Sequence, residues 1–485
     1  MSLRNLPEKW EKNKFSECLD IQGGSQPPKK YFSEIKKPGY VRLYQIRDLG
    51  DNPIPVYVDT KRVTKFCEDK DILIGRYGAS VGKVFWGRKG AYNVALVKVL
   101  FNHSIFQKPY LYYFFKSGYF QQCLSKISKT AQNGFNKTDL SRILVPIAPL
   151  NEQQHIVSKI EELFSNLNEA ENIIKQTQKL LKQYKQSVLK AAITGELTRE
   201  WREVNKNRLE SGKEFLKRIL KTRRDQWQGR GKYQEPKALD TNKLPKLSNE
   251  WIWVSIEQCA FVETGATPKR GEIRYYKNGT IPWITSGAVN VEYIENYAEL
   301  ITEKAIEETN AKLFLKGSLI MAMYGEGKTR GKIAELNINA ATNQACAAIL
   351  CHHLDDDIKK YIKIFFYENY SKMRKRAAGG VQPNLNLSMV KNTLVPLPSF
   401  EELKQINIMT NNFLANIKML GREIKTIFAD IKALRQSILK AAFSGQLVSQ
   451  NPNDEPATEL LKKIKNEVVS KTQTKRRKVK SGDNV

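Results

Sequence analysis

The sequence predicts an α+β protein that is a tandem copy of itself: two mixed strand-and-helix globules separated by two long antiparallel coiled-coil helices, with a pseudo-two-fold internal repeat. Three observations predict this. The segment SVLKAAITGEL at 187–197 returns as SILKAAFSGQL at 437–447, 250 residues later. The first part of each half holds short runs rich in β-branched and aromatic residues, punctuated by glycine, asparagine and aspartate. Each of these parts is followed by an apolar series spaced four, three, four, three for five heptads, which is the period of a coiled coil.

The repeat sets the frame. LVP at 144–146 matches LVP at 394–396, Gln132 and Asn136 match Gln382 and Asn386, and Ala91, Asn93 and Ala95 match Ala341, Asn343 and Ala345, all at a shift of 250. Upstream the register drifts. Tyr77-Gly78 pairs with Tyr324-Gly325 at 247, Gly82-Lys83 with Gly331-Lys332 at 249, and Trp10 with Trp251 at 241. A constant frame with loops of varying length is what a scaffold carrying two different binding surfaces would show.

In chain order the expectations are a globule over 1–150, a long helix over 151–198 and a charged helical linker over 199–245. A second globule over 246–400, a second long helix over 401–447 and a basic helix and tail over 448–485 follow. Strands are expected at ILIGRY (72–77), VGKVFW (81–86) and YNVALVKVL (92–100). The aromatic stretches at 109–127 and 360–376 are read as helices. The apolar stripe of the first long helix runs from Ile156 and Ile160 to Val188 and Ala191. The second runs from Ile406 and Thr410 to Ile438 and Ala441, and the two are expected to bury one another. No proline interrupts them, and Gly195 and Gly445 are placed to end them. Some 45 residues of helix make a rod of roughly 65 Å. The linker helix (212–227) and its echo at 457–468 are expected to dock on the coiled coil or on a partner. TKRRKVK (474–480) is a basic cluster.

Composition narrows the function. Lysine and arginine number 80 against 50 acidic residues, a net charge of +30, and a polyanion is the commonest reason for such an excess. The six cysteines form no CxxC pair, and Cys346, Cys351, His352 and His353 lack a second ligand pair, so no metal site is expected. The polar N-terminus and the absence of a long apolar run lead to the expectation of a cytoplasmic protein without membrane contact. AMYGEGKT (322–329) fails as a phosphate loop, because Ala322 stands where that motif needs glycine. Pro27-Pro28 lacks the neighbours of a methyltransferase loop, and four histidines leave few acid–base schemes. The expectation is a protein that binds and does not catalyse.

Two globules, each followed by a long helix ending in Leu-Lys-Ala-Ala-x-x-Gly-x-Leu, resemble the specificity subunits of type I restriction-modification systems. The segments LPEKWEKNKF (6–15), LSNEWIWVSI (247–256), DILIGRYGASVGKV (71–84) and LVPIAPLNEQQ (144–154) carry the resemblance as well. It implies that each globule is a target recognition domain reading half of a split, asymmetric duplex DNA site, with the helices as a ruler. It implies two methyltransferase (M) subunits using S-adenosylmethionine, restriction/translocase (R) subunits using ATP and Mg, and no cofactor on this chain. The ruler suits the rod length, since half-sites one turn apart are separated by about 34 Å. A non-specific, bivalent coiled-coil DNA-binding architectural protein is the alternative.

Residues that recur in both copies suit phosphate contact, and residues that differ in matched loops suit base readout. The phosphate candidates are Lys83 and Lys332, with Lys29, Lys30, Lys269 and Arg270. For readout, Gln45 and Arg47 stand opposite Thr285 and Ser286, Arg76 and Ser80 opposite Lys328 and Arg330, and Gln132 and Asn133 opposite Gln382 and Asn384. Arginine to guanine and Asn or Gln to adenine are the economical pairings. Asn136 and Asn386 are expected to cap the turns that follow them.

Overall fold

The computed structural model describes residues 5–50, 53–130, 134–227, 231–248, 250–325, 328–378 and 384–462, side chains at 128–130 and 376–378 excepted. It comprises two compact units. Unit one joins Met1–Lys175 to Lys425–Val485, and unit two is Gln176–Ile424.

Unit one has a four-stranded antiparallel sheet. Leu96–Phe101 lies between Leu19–Gly23 and Ile72–Gly75, with Val84–Trp86 outside Ile72–Gly75. A side sheet is ordered Tyr57–Asp59, Tyr40–Tyr44, Gly90–Tyr92, Phe66–Cys67, and its central pair is parallel with Leu43 opposite Ala91. Unit two repeats the plan. Its main sheet runs Phe261–Thr264, Cys346–Leu350, Leu319–Ala322, Ile333–Leu336, Tyr293–Ile294. Its side sheet runs Glu299–Ile301, Ile281–Ile284, Ala340–Thr342, Leu313–Phe314, again with one parallel pair, Trp283 opposite Ala341. A two-stranded ribbon closes each unit: Glu11–Lys14 with Leu144–Ile147, and Ile252–Ser255 with Leu394–Leu397.

The run expected as one strand at 92–100 is two, belonging to different sheets. Asn93 breaks it: its side-chain oxygen accepts from the Ala95 amide at 3.2 Å and turns the chain. Asn343 does the same to Ala345 at 3.2 Å. The recurring Ala-x-Asn-x-Ala pattern is therefore the corner between the sheets. Glycines serve it, since a Cβ on Gly24 would sit 2.1 Å from the Asn93 carbonyl oxygen and one on Gly265 1.9 Å from that of Thr342.

The aromatic stretch of the first copy makes two helices, Lys108–Lys116 and Gly118–Thr130, because Ser117 turns extended and bonds back to Phe114. The second copy has Glu368 and Asn369 at the places matching Ser117 and Gly118 and stays one helix, Asp356–Ala378. Asn136 and Asn386 cap short helices as expected, accepting from Asp139 and Met389 amides.

The long helices are Leu150–Thr194 and Phe400–Phe443, and Gly195 and Gly445, at φ of +77° and +73°, follow their ends. Within each unit the two helix segments run antiparallel. In unit one Ile156, Val157 and Ile160 share a core with Leu439, Ala442 and Phe443, and Arg435 reaches Asn168 at 2.7 Å. In unit two Leu403 and Ile406 share a core with Leu189, Ala192 and Ile193, and Tyr184 meets Phe413 edge-on. The recurring LKAA motif is thus the tail of one copy's helix seated in the other copy's globular core.

Mutual burial along the whole stripe does not hold. Ile424 and Ile431 are buried, while Leu420, Ile427 and Leu434 are 44%, 38% and 51% exposed. Between 420 and 434 burial is confined to one row of the 3–4 series, that of Ile424 and Ile431, and the alternate row stays open. The linker helix meets its expectation only in part. Gly212–Asp225 docks on the second globule as well as on the long helices: Phe215 and Ile219 join the core that holds Trp251, Val254, Leu189 and Leu403, and the Phe215 ring lies 5.3 Å from that of Phe400. Its echo is helical over 457–462, with Ala457 in the core of unit one, and 463–485, including TKRRKVK, lies outside the described residues.

Candidate nucleic-acid interface

In unit two three loops distant in sequence are tied together. The first is the 3-10 turn Ser286–Asn290, which leaves the side-sheet strand Ile281–Ile284. The second joins Leu319–Ala322 to Ile333–Leu336, and the third precedes the cap at Asn386. Lys332 Nζ donates to Asn290 Oδ1 at 2.8 Å, and Asn290 Nδ2 donates to Thr329 at 3.2 Å. The Leu385 amide donates to the Met323 carbonyl at 3.1 Å, and the Tyr370 hydroxyl to that of Lys328 at 2.6 Å. No helix opens after Lys328, so the phosphate-loop reading has no support here.

Unit one brings matching loops together by different bonds. Arg76 Nε donates to the Phe135 carbonyl at 2.8 Å, which clamps the 76–83 loop to the segment entering Asn136. Gly134 is forced: at φ +125°, a Cβ would fall 2.3 Å from the Arg76 carbonyl oxygen. The 3-10 turn Ile46–Leu49 follows the side-sheet strand Tyr40–Tyr44, as its counterpart does in unit two.

The candidates sort by surroundings. Lys29, Lys30, Arg47, Lys83, Lys269, Arg270, Lys328 and Asn384 are exposed, and Gln45, Arg76, Ser80, Thr285, Ser286, Arg330 and Lys332 are half-buried. Gln132, Asn133 and Gln382 lie outside the described residues. Buried polar atoms without an acceptor are costly, and both Gln45 Nε2 and Arg330 Nε are of that kind. Arg270 is committed: it donates to Glu299 at 2.7 Å, and its guanidinium lies 5.0 and 5.2 Å from the Tyr276 and Trp283 rings. That bond, before all else, raises the arginine's pKa above its usual value. Asp48 is an internal strut, buried and accepting from the Gln45 and Ile54 amides.

Two features passed unread in the sequence. Tyr77 and Tyr324, used only as register marks, are 40% and 39% exposed beside the candidate loops. Their recurrence at the 247 shift was the available signal. Glu152 and Glu402, 250 residues apart, are buried and accept the indole protons of Trp10 at 2.9 Å and Trp251 at 2.8 Å. Burial raises the pKa of Glu152, and the bonds from Trp10 and Gln450 oppose it. Cys346 and Cys351 are buried, His352 pairs with Ser318 at 2.8 Å, and no group of three or more His, Cys, Asp or Glu among the described residues could hold a metal. No helix among them is long and apolar enough to cross a membrane.

Comparison with known proteins gives a consistent result. The family model described as "Type I restriction modification DNA specificity domain" matches residues 7–180 and 248–427. The chain is 23% identical to the specificity subunit of the type I restriction enzyme EcoBI of Escherichia coli, over 96% of this chain and 94% of that one. It is 31% identical to the MjaIX specificity subunit of Methanocaldococcus jannaschii over 37% of this chain and 40% of that one. Among solved structures, the HsdS subunit of Thermoanaerobacter tengcongensis superposes with a TM-score of 0.53 at 15% identity, covering 91% of this chain and 98% of that one. A chain from a type I R-M assembly reaches 0.64, also at 15% identity, covering 91% and 99%.

Proposed function

The chain belongs to the type I restriction modification DNA specificity family, and on that premise we propose that it reads a split, asymmetric duplex DNA site, one half-site per globule. It is the non-catalytic recognition component of its system. It positions methyltransferase subunits, which supply S-adenosylmethionine chemistry at adenine, and restriction subunits, which use ATP and Mg, in the cytoplasm.

One observation carries the reading: the same three loops stand at the same places on two copies of one scaffold, with different chemistry in each. Arg47 occupies a turn whose counterpart offers Ser286, and Arg76 a loop whose counterpart offers Lys328 and Arg330. Repeated scaffold with unlike loops suits two different half-sites. A non-specific bivalent binder would gain nothing from unlike loops, and that alternative is not favoured. The apolar positions left open on the helices, Leu434 and Ile427 in unit one and Leu420 and Tyr184 in unit two, suit a partner protein, since such rows on a free surface mark interaction sites.

Co-expression tests the proposal. Tagged chain is expected to co-purify stoichiometrically with the methyltransferase of its system, and that methyltransferase to modify DNA only when the chain is present. Methylation unchanged without the chain would sink it.

A further inference from the structure

The globules differ in charge far more than in fold. Residues 1–150 carry 25 basic and 12 acidic side chains, net +13, and residues 246–400 carry 19 and 16, net +3. The difference concentrates in the side sheets and their turns. Over 29–65 there are 9 basic and 4 acidic residues, and over the matching 269–312 there are 6 and 7.

The structure gathers the excess in unit one. Arg62 lies over the Tyr31 ring at 3.7 Å and Lys30 over the same ring at 5.1 Å, so the turns Lys29–Tyr31 and Thr60–Arg62 abut. Thr60 bonds the Gly39 carbonyl through amide and hydroxyl, which brings the Lys36-Lys37 loop beside Lys61 and Arg62. Lys29, Lys30, Lys36, Lys37, Lys61 and Arg62 are all exposed. Among the described residues no carboxylate forms an ion pair with any of them. Glu34 stands exposed in the same loop, and Asp59 spends an oxygen on the Lys61 amide. The matching face of unit two is neutralised: Arg270 pairs with Glu299, Lys269 with Glu272, and Arg274 with Glu272 and Glu308.

Six unpaired cations crowded on one face repel one another, and a polyanion removes that repulsion while releasing its counterions. We propose that the side-sheet turns of unit one form a sequence-independent site for the DNA phosphodiester backbone, one that unit two lacks, so that the first globule supplies most of the salt-dependent grip. This rests on the DNA-reading function above. The site is separate from the recognition loops, since Lys36, Lys37, Lys61 and Arg62 belong to none of them.

The test is fluorescence anisotropy of the full chain on a mixed-sequence 40-base-pair duplex across a potassium chloride series. The triple variant Lys30→Gln, Lys37→Gln, Arg62→Gln is expected to flatten the log–log salt slope by about 2–3 and to weaken binding at least roughly tenfold at low salt, at close to 0.9 per phosphate lost. The control triple Arg274→Gln, Lys277→Gln, Lys304→Gln is expected to change affinity less than about twofold. Lys29→Gln, Lys36→Gln, Lys61→Gln should repeat the loss should the first variant melt early. Equal losses in the two units, or an unchanged slope, would overturn the assignment. So would release of the methyltransferase with DNA affinity intact, which makes the patch a protein-docking face. A wild-type chain with no duplex affinity at any salt would overturn the DNA-reading function itself, a different result from either.

Discussion

Asn93 and Asn343 were visible in the sequence as a recurring pattern whose meaning was not, because a side chain that turns one strand into two acts through an amide two residues away. Glu152 and Glu402 were less legible still. A glutamate opening a helix reads as a solvated charge, and only the fold brings a tryptophan from some 140–150 residues upstream to bond it. His353 shows a third kind of hidden role. Its ring lies 4.7 Å from that of Phe261, and Arg223, from the linker helix, lies 4.2 Å over the same Phe261. Burial, Arg223 and His352 lower its pKa from 6.5 to about 4. Between those values the unfolded chain takes up a proton that folded His353 refuses. Stability present above pH 6.5 is therefore lost as the pH falls toward 4. Allowing for partial exposure, the loss between pH 7.5 and 5 is about 1–2 kcal/mol. His353→Phe keeps the stacking and removes the titration. Thermal melts of the variant should depend less on pH over that interval than those of the parent, and an equally steep dependence would contradict this.

At the scale of elements, the long helices were legible because their period is local: a 3.5-residue repeat and a terminal glycine need no tertiary information. What each end packs against was not legible, since that is set by partners from some 60 to more than 400 residues away in sequence. Leu439 and Phe443 sit with Trp10 and Tyr110, and Leu189 and Ile193 with Trp251 and Tyr361. Strand positions were read well and strand membership poorly, for the same reason. Phe215 and Ile219 likewise look like any amphipathic stripe until their core is known. Leu189→Ala tests the arrangement. The residue precedes the second globule by some 60 positions yet lies in its core, so the substitution should destabilise unit two by about 2–5 kcal/mol. Hydrogen exchange should then accelerate in Leu319–Ala322 and Cys346–Leu350 and stay unchanged in Ile72–Gly75 and Leu96–Phe101. Loss of protection in the latter pair would refute the packing described.

For the whole molecule, one scaffold used twice with unlike loops and unlike charge is the arrangement a reader of two different half-sites requires. The repeat was the strongest signal in the sequence, and the loops that differ between copies are where we propose that specificity lies. Which of their side chains touch bases is set by DNA geometry that no single chain contains. The charge difference could have been counted from the sequence, but its concentration on one face depends on Tyr31 and Thr60 drawing separate turns together. The most direct measurement is a single-molecule methylome of cells expressing the chain with its methyltransferase, set against cells lacking the chain. Adenine methylation at one two-part motif with a fixed, sequence-free gap, absent without the chain, is the expected result. Methylation at an uninterrupted motif, or at two half-sites with variable spacing, would contradict it.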